Sequence, residues 1–571
     1  MSTTQTMMRA GREAQLAGDP WTAVEIFEDL AAREPANAEV RYWLASAKLT
    51  SGDPNGAALA MEDARILHTL PLVTARGGDA GRCRTDAAHA ALIADQLYGQ
   101  HMVAMSAVVR ALCLSAGRMG AEDLLAYGLS LQHQGRVEEA SEVFGMVAEA
   151  RPTPRASQFR LWATLFCEDG EARFAEEAKA WARRHAPAHP AAPFSNPPLG
   201  GRRLRIGYVA PNFAGSQLRQ YMTPLLENHD PAAVEVTLYP ASADTESNWP
   251  DWIAVHPIGH LSDADAAALI RRDGVDVLAD CWGHTAGSRI SVLARRPAPV
   301  QVAWINSSHT TGLEQVDYIP HATSDRSYPE GRYTEEIWQI GPVYTAFRPA
   351  EGRLPPVPTP ALASGLLTFG SFNHPAKLND WVLDAWAAIL RSTPSSRLLL
   401  KYSYFSDPVL QRATQARFAA RGVAPERIVF EGHTTGEAYF AAYRQVDLML
   451  DAWPFAGSTT TLDALSNGVP VLTMADCDFQ GGAYAQAMLK ASGLPDLLTD
   501  TPDAFVERAL ELTEDLQRLD ALRARVRPSF EAGGCCDEVG FTRRMEQAFG
   551  EMFTRWRREA GLDGQPVRAA S

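Results

Sequence analysis

Asp451 to Met474, reading DAWPFAGSTTTLDALSNGVPVLTM, sets small residues and hydroxyls where an anion can be held. The stretch follows the apolar run Val446-Asp447-Leu448-Met449-Leu450, which has the pattern of a buried parallel strand. Ala456-Gly457-Ser458 reads as a tight turn, Thr459 to Ser466 as the first turns of a helix, and Val469 to Leu472 as the next strand. A small-residue loop and a hydroxyl-rich helix start therefore stand at the carboxyl end of a strand. There, backbone N–H groups without helical partners and the positive end of the helix dipole favour a phosphate. The alternative is that Ser458, Thr459 and Thr460 merely cap a helix, a common use of Ser and Thr.

The elements around this loop fall into two kinds. In the first third, Gly18-Asp19 precedes Ala23, Phe27 and Pro35, and Gly52-Asp53 follows Leu44 and Ala45 and precedes Ala57 and Ala64. The two glycines are 34 residues apart, the period of a tetratricopeptide repeat. A clearer copy carries Leu124, Tyr127, Gly128, Leu131, Gly135, Ala140, Phe144 and Pro152, and a weaker one lies around Leu161, Gly170, Phe174 and Ala178. Asp86 to Ser115 is helical in pattern without the signature. Small residues let helix A of each pair approach an aromatic on helix B, and stacked pairs make a concave surface that suits a protein partner; a generic helical bundle is the plainer alternative. The Pro-rich segment His185 to Pro198 reads as a linker.

Beyond Arg203 the period changes to strands alternating with helices, which implies doubly wound parallel sheets. Strands are expected at 204–209, 234–239, 275–279 and 299–304, with helices at 221–227 and 264–272. After the Pro-rich crossing Leu354 to Pro360, strands are expected at 366–372, 397–402 and 428–430, with helices at 381–392, 411–421 and 437–444. Two such halves place a cleft at the carboxyl ends of their strands, where open sheets bind ligands. Cys536 to Ala560 is expected as a closing helix. The architecture is thus α + α/β: residues 1–198 helical repeats, 199–353 and 354–532 two Rossmann-like halves, and 533–571 a closing helix and tail.

Composition narrows the function. A net charge of -15, from 53 basic and 68 acidic residues, gives no footprint for nucleic acid and no attraction to anionic lipid. The 7 cysteines show no CxxC pair or repeating spacing, so neither a disulfide framework nor a zinc site is indicated. No apolar run approaches the about 18 residues of a membrane span, and the first residues lack the roughly 7–15-residue apolar core of a signal peptide. A soluble cytoplasmic protein, without membrane or nucleic-acid partners, is expected.

Ser371-Phe372-Asn373-His374 with Lys377, Arg427-Ile428-Val429-Phe430, and Gly457-Ser458-Thr459-Thr460 with Asp463 resemble, in order and spacing, the nucleotide-sugar half of protein O-GlcNAc transferases. Gly283-His284-Thr285-Ala286-Gly287-Ser288-Arg289 and Arg296-Pro297-Ala298-Pro299-Val300-Gln301 resemble the first catalytic half of the same enzymes. The resemblance implies a family 41-like GT-B glycosyltransferase, inverting and metal-independent, that modifies Ser or Thr of proteins. It implies that Lys377 holds donor phosphate oxygens, that Thr459 and Thr460 add contacts to that phosphate, and that Asp463 takes the ribose hydroxyls. Asn373, Gly457 and Ser458 complete the donor set. With no DxD-type metal motif at a strand end, a lysine and a helix N-terminus must stabilise the leaving group, and no cofactor is expected beyond the nucleotide sugar. His284 and His309, in Gly/Ser/Thr-rich loops after strands, are candidates for a general base, or are structural or binding histidines. His433, in Glu431-Gly432-His433-Thr434, is placed to touch the nucleotide or is simply part of a loop turn.

The chain departs from the O-GlcNAc transferase pattern at three places. Ala214-Gly215-Ser216-Gln217 replaces a Gly-x-His-Pro loop, Asn306 to Thr310 replaces Gly-Tyr-Pro-Gly-Thr, and Ser458 stands where those enzymes carry histidine. In joining tetratricopeptide repeats to such a region, the chain more closely resembles flagellin-modifying, FlmG-type glycosyltransferases. That resemblance implies a CMP-activated nonulosonic acid of the pseudaminic or legionaminic kind as donor, and flagellin Ser/Thr, held by the repeats, as acceptor. A UDP-GlcNAc or UDP-hexose transferase and a non-catalytic adaptor for an export substrate are the other readings.

Overall fold

The computed structural model describes residues 3–562 apart from 36, 52–90, 92–93, 116–119, 168–169, 191–192, 215–217, 243–248, 306–308, 324–330 and 476–479. The chain forms two compact units, Met1–Pro152 with Gly370–Thr435 and Thr153–Phe369 with Gly436–Ser571.

In the first unit the hairpins expected from small-to-aromatic spacing are present. Helices Thr3–Leu16 and Pro20–Arg33 meet where Gly11 faces Phe27, and a Cβ on Gly11 would lie 2.7 Å from Phe27 Cζ. Helices Ala121–Gln132 and Val137–Ala150 repeat the arrangement, with a Gly128 Cβ only 2.5 Å from Phe144 Cε1. Gly135, at φ 81°, makes the turn between them in a conformation other residues rarely adopt. Helix Ala38–Thr50 closes over the first pair, stacking Trp43 on Phe27 at 6.3 Å. Gly52, Asp53, Ala57 and Ala64 of the expected second copy lie outside the described residues, as does much of 86–93; residues 94–99 and Val103–Ser115 are helical.

The same unit holds helices Asp380–Ser392 and Pro408–Ala419. Asp407, fully buried, accepts hydrogen bonds from the backbone N–H of Val409 (2.8 Å) at the start of its own helix, and from Ala104 (2.7 Å) and Met105 (3.1 Å) at the start of Val103–Ser115. One carboxylate thereby caps two helices and answers their positive ends.

The second unit contains a seven-stranded sheet of β1 (Leu204–Ala210), β2 (Val234–Pro240), β3 (Ala254–Val255), β4 (Val277–Asp280), β5 (Val300–Ala303), β6 (Tyr318–His321) and β7 (Glu336–Gln339). Its order is β3-β2-β1-β4-β5-β6-β7 and every pairing is parallel. A second sheet comprises β8 (Leu367–Ser371), β9 (Ser396–Lys401), β10 (Ile428–Glu431), β11 (Leu448–Leu450), β12 (Val471–Met474) and β13 (Leu498–Thr499), in the order β10-β9-β8-β11-β12-β13. Strands buried on both faces need continuous apolar runs, and β1 and β9 have them. Four strands escaped the sequence reading. β3 and β13 are two residues long, β6 contains Pro320, and β7 is polar at both ends.

Helices Pro154–Thr164 and Gly170–His185, the weaker repeat copy, belong to this unit and bury Leu161, Phe174 and Ala178 together. The Pro-rich segment after them is fastened down: Asn196 donates to the Asp276 carboxylate at 2.8 Å. The closing helix runs Glu538–Glu559 and packs on helix Arg219–Asn228. Phe541 stacks with Trp304 at 6.1 Å, and Glu546 lies 2.9 Å from His229 Nδ1.

Candidate active site

The Asp451–Met474 stretch folds as β11, a loop, helix Thr459–Ser466 and β12. Asp451 fixes the loop. Its buried carboxylate accepts from the backbone N–H of Ala452 (2.9 Å) and Gly457 (2.8 Å), and from the hydroxyl of Thr473 on β12 (2.6 Å). Gly457 is needed for this closeness, because a Cβ there would sit 2.6 Å from Thr461 Oγ1 and 2.9 Å from Asp451 Oδ1. Ser458 precedes the helix but makes no side-chain cap to it. Of the two sequence readings of this serine, capping finds no hydrogen bond.

One turn further, Asp463 is only 8% exposed and accepts from Tyr439 Oη at 3.2 Å and, more weakly, from Gln220 Nε2 at 3.4 Å. Burial pushes its carboxyl up to about 6 against those two hydrogen bonds. The Thr459 hydroxyl lies 2.7 Å from that of Tyr221. Gln220 and Tyr221 sit on helix Arg219–Asn228 of the first α/β half, and no local signal in the sequence marks them as companions of residues some 240 positions on.

The two candidate histidines of the second unit, His284 and His309, meet a common set of rings. His284 is 4% exposed, under Trp181 (4.7 Å) and Phe174 (6.4 Å) of helix Gly170–His185. Its Nε2 lies 2.7 Å from the Thr311 carbonyl oxygen, which cannot donate, so Nε2 carries the proton. The buried Nδ1 has no hydrogen-bond partner among the described residues, and burial lowers the imidazole pKa to about 4. His309 is half-buried, its ring 4.9 Å from Phe174 and stacked on Phe455 at 6.2 Å. Phe455 belongs to the loop before Ser458 and also meets Phe166 (5.6 Å) and Trp162 (6.4 Å). The turn after His309 is held by Glu335, which accepts from Thr310 Oγ1 and from the Thr311 N–H, both at 2.7 Å. The structure thus brings His284, His309 and the Thr459 loop into one unit. Residues 306–308 and 215–217, where the chain departs from the O-GlcNAc transferase pattern, lie outside the described residues.

The remaining candidates belong to the first unit. Lys377 ends a short turn, Pro375–Lys377, after β8, and its Nζ donates to Asn373 Oδ1 at 3.1 Å; Asn373 donates to Ser371 Oγ at 3.3 Å. His433 is exposed on the loop after β10, with its ring 5.2 Å from that of His101. The buried Lys401, which the sequence reading passed over, braces this loop by donating to Thr434 Oγ1 (2.6 Å) and Glu431 (3.2 Å). Among the described residues no group of three or more His, Cys, Asp or Glu is arranged to hold a metal ion, and no helix is long and apolar enough to cross a membrane.

Residues 187–337 and 359–536 match the family profile described as Glycosyl transferase family 41. The chain is 31% identical over 423 residues to the probable UDP-N-acetylglucosamine–peptide N-acetylglucosaminyltransferase SPINDLY of Solanum lycopersicum, across 70% of this chain and 44% of that one. It is 24% identical over 486 residues to the UDP-N-acetylglucosamine–peptide N-acetylglucosaminyltransferase of Caenorhabditis elegans, across 63% and 41%. The chain therefore spans less than half the length of these curated relatives. Among solved structures, a Thermobaculum terrenum O-GlcNAc transferase mutant has a TM-score of 0.72 at 27% identity, covering 98% of this chain and 100% of that one. The helical region followed by two Rossmann-like sheets is accordingly the GT-B arrangement that the sequence pattern leads one to expect.

Proposed function

The chain belongs to glycosyl transferase family 41, and on that premise we propose that it transfers a sugar from a nucleotide-activated donor to Ser or Thr hydroxyls of a protein. The observation that carries this reading is the helix start at Gly457–Asp463. Its loop is pinned by Asp451, its leading serine is not spent on a cap, and a buried carboxylate stands one turn behind its hydroxyls. A phosphate at the amides and hydroxyls, with a ribose diol donating to Asp463, uses each of these groups.

In the proposed reaction an acceptor hydroxyl attacks the anomeric carbon. The bond from that carbon to the phosphate oxygen breaks, and its electron pair leaves with the nucleotide. The Thr459–Thr460 helix start stabilises that negative charge, and Lys377, which donates to Asn373, is the cation that the family resemblance assigns to the donor phosphate. The hydroxyl proton passes to a base. His284 offers only Nδ1, is covered by Trp181, and with a pKa near 4 is a weak base at neutral pH. The half-buried His309, beside the donor loop through Phe455, is the better placed of the two.

For the donor we favour a CMP-activated nonulosonic acid, with flagellin as the acceptor held by the helical repeats in the cytoplasm. This rests on the resemblance to flagellin-modifying enzymes and on Ser458 standing where O-GlcNAc transferases carry histidine. The activity named for the relatives favours a second reading, N-acetylglucosamine from its UDP form. Melting the protein with a nucleotide panel separates the two: stabilisation by CMP supports the first, by UDP the second, and by neither supports a non-catalytic adaptor.

A further inference from the structure

Behind Lys377 the first unit carries a stack of rings drawn from two distant parts of the chain. Tyr98 and His133 come from the helical repeats; His374, Tyr402 and Tyr404 come from the α/β part. His133 stacks on Tyr404 at 4.5 Å and 19°, and meets His374 edge-on at 5.0 Å. The Tyr98 hydroxyl lies 3.1 Å from His133 Nδ1. His374 in turn touches Tyr402 at 4.9 Å and caps the short turn of Lys377, its Nδ1 accepting the Ala376 N–H at 2.9 Å.

The repeat turn itself presses on that loop. A Cβ on Gly135 would lie 2.9 Å from the Pro375 carbonyl oxygen and 3.7 Å from that of Leu378, so the hairpin tip abuts the backbone on both sides of Lys377. Burial lowers the pKa of both His133 and His374, which keeps the imidazoles neutral beside the Lys377 ammonium. Ring contacts of this kind are directional, and a backbone wall on one side with a ring stack on the other leaves the loop little freedom.

We infer that the repeat turn His133–Gly135 is a positioning element for Lys377, so that the helical repeats set the affinity for the donor nucleotide as well as offering a surface to the acceptor protein. The inference rests on the reading of Lys377 as a phosphate ligand. In this arrangement Tyr98 orients His133, His133 and Tyr404 fix His374, and His374 with Gly135 fixes the turn from which Lys377 reaches the phosphate.

The test is calorimetric titration of the full chain with CMP and with UDP, for the variants Tyr98→Phe, His133→Ala, His133→Phe and Lys377→Ala and for the double variant His133→Ala/Lys377→Ala. Lys377→Ala and His133→Ala each weaken the nucleotide by about tenfold, the scale of one displaced charge-assisted contact, while His133→Phe keeps the ring stack and most of the affinity. In the Lys377→Ala background, His133→Ala has no further effect, because the two act through one ammonium; a merely structural role would weaken binding by the same factor in both backgrounds. Tyr98→Phe, which removes one hydroxyl, keeps the question open to test if His133→Ala does not fold. Weakened binding in Lys377→Ala with unchanged binding in His133→Ala, or in Tyr98→Phe when it must stand in, overturns this inference alone. Unchanged binding in Lys377→Ala overturns the donor reading and the inference with it.

Discussion

The hydroxyls of Tyr221 and Thr459 lie 2.7 Å apart and tie helix Arg219–Asn228 of the first α/β half to the head of helix Thr459–Ser466. Burial raises the Tyr221 phenol far above its ordinary pKa, so it stays protonated at any working pH. A residue proposed to touch the donor phosphate is therefore already aimed by a neighbour from the other half. Tyr221→Phe removes this tie together with the phenol's hydrogen bond to the neighbouring Ser458. It lowers unfolding stability by about 1 kcal/mol, the scale of a buried hydrogen bond's net worth, and it weakens nucleotide binding. Tighter binding in a titration would show instead that Tyr221 competes with the phosphate for Thr459.

Asp463 sets stability against function. The folded protein holds its proton up to about pH 6, while an unfolded chain releases it near the ordinary 3.8. Between those values the folded state binds more protons, so stability falls as pH rises through the window, and the full cost persists above it. Asp463→Asn removes that cost and raises stability at pH 8 by up to about 3 kcal/mol, with no gain at pH 3. The same change removes the carboxylate proposed for the ribose diol, so nucleotide affinity falls while the melting temperature climbs. Denaturant melts at the two pH values check the first half, and a nucleotide titration the second.

His284 works in the opposite sense. Its folded pKa near 4 lies below the ordinary 6.5, so the unfolded chain binds the extra proton, and stability drops as pH falls from about 6.5 towards 4. Gln offers an N–H to the Thr311 carbonyl without the titration. His284→Gln therefore flattens the acid side of the stability profile by about one proton. An unchanged slope in melts between pH 4 and 7 would mean that His284 is already charged in the folded state.

Two glycines in helices should respond to alanine with opposite signs. At Gly128 the added methyl would meet the edge of the fully buried Phe144 at 2.5 Å, and the overpacking of about 1–3 kcal/mol outweighs the helix propensity gained. At Gly550, in the closing helix, a Cβ meets nothing within 4 Å, and Ala stabilises by up to about 1 kcal/mol. Chemical denaturation of the two variants decides both.

Much of the fold was legible because strands and helices announce themselves by period. The expected helix at 264–272 forms as Asp263–Arg272, and the strand at 428–430 as Ile428–Glu431. The helix start at Thr459 was legible for the same reason, as were the glycine-to-aromatic contacts of the repeats, whose spacing is fixed by the hairpin. Contacts between distant segments had no such signature. Nothing near Asp407 says that its carboxylate caps a helix beginning some 300 residues earlier, and nothing near Asp463 names Gln220 or Tyr439 as its donors. The covered position of His284 was hidden likewise, because its Gly/Thr-rich loop looks solvated in sequence and is roofed by Trp181 from the last repeat.

The closing helix Glu538–Glu559 has a bearing on how the protein is made. It completes the packing of helix Arg219–Asn228 and stacks Phe541 on Trp304, yet it leaves the ribosome more than 200 residues after β5 is finished. During synthesis, which proceeds at about 5–20 residues per second, the first α/β half waits some tens of seconds with an apolar flank uncovered. Translation stopping before Phe541 would strand that flank in the open, leaving a nascent product with the exposed apolar surface that makes incomplete chains prone to aggregate.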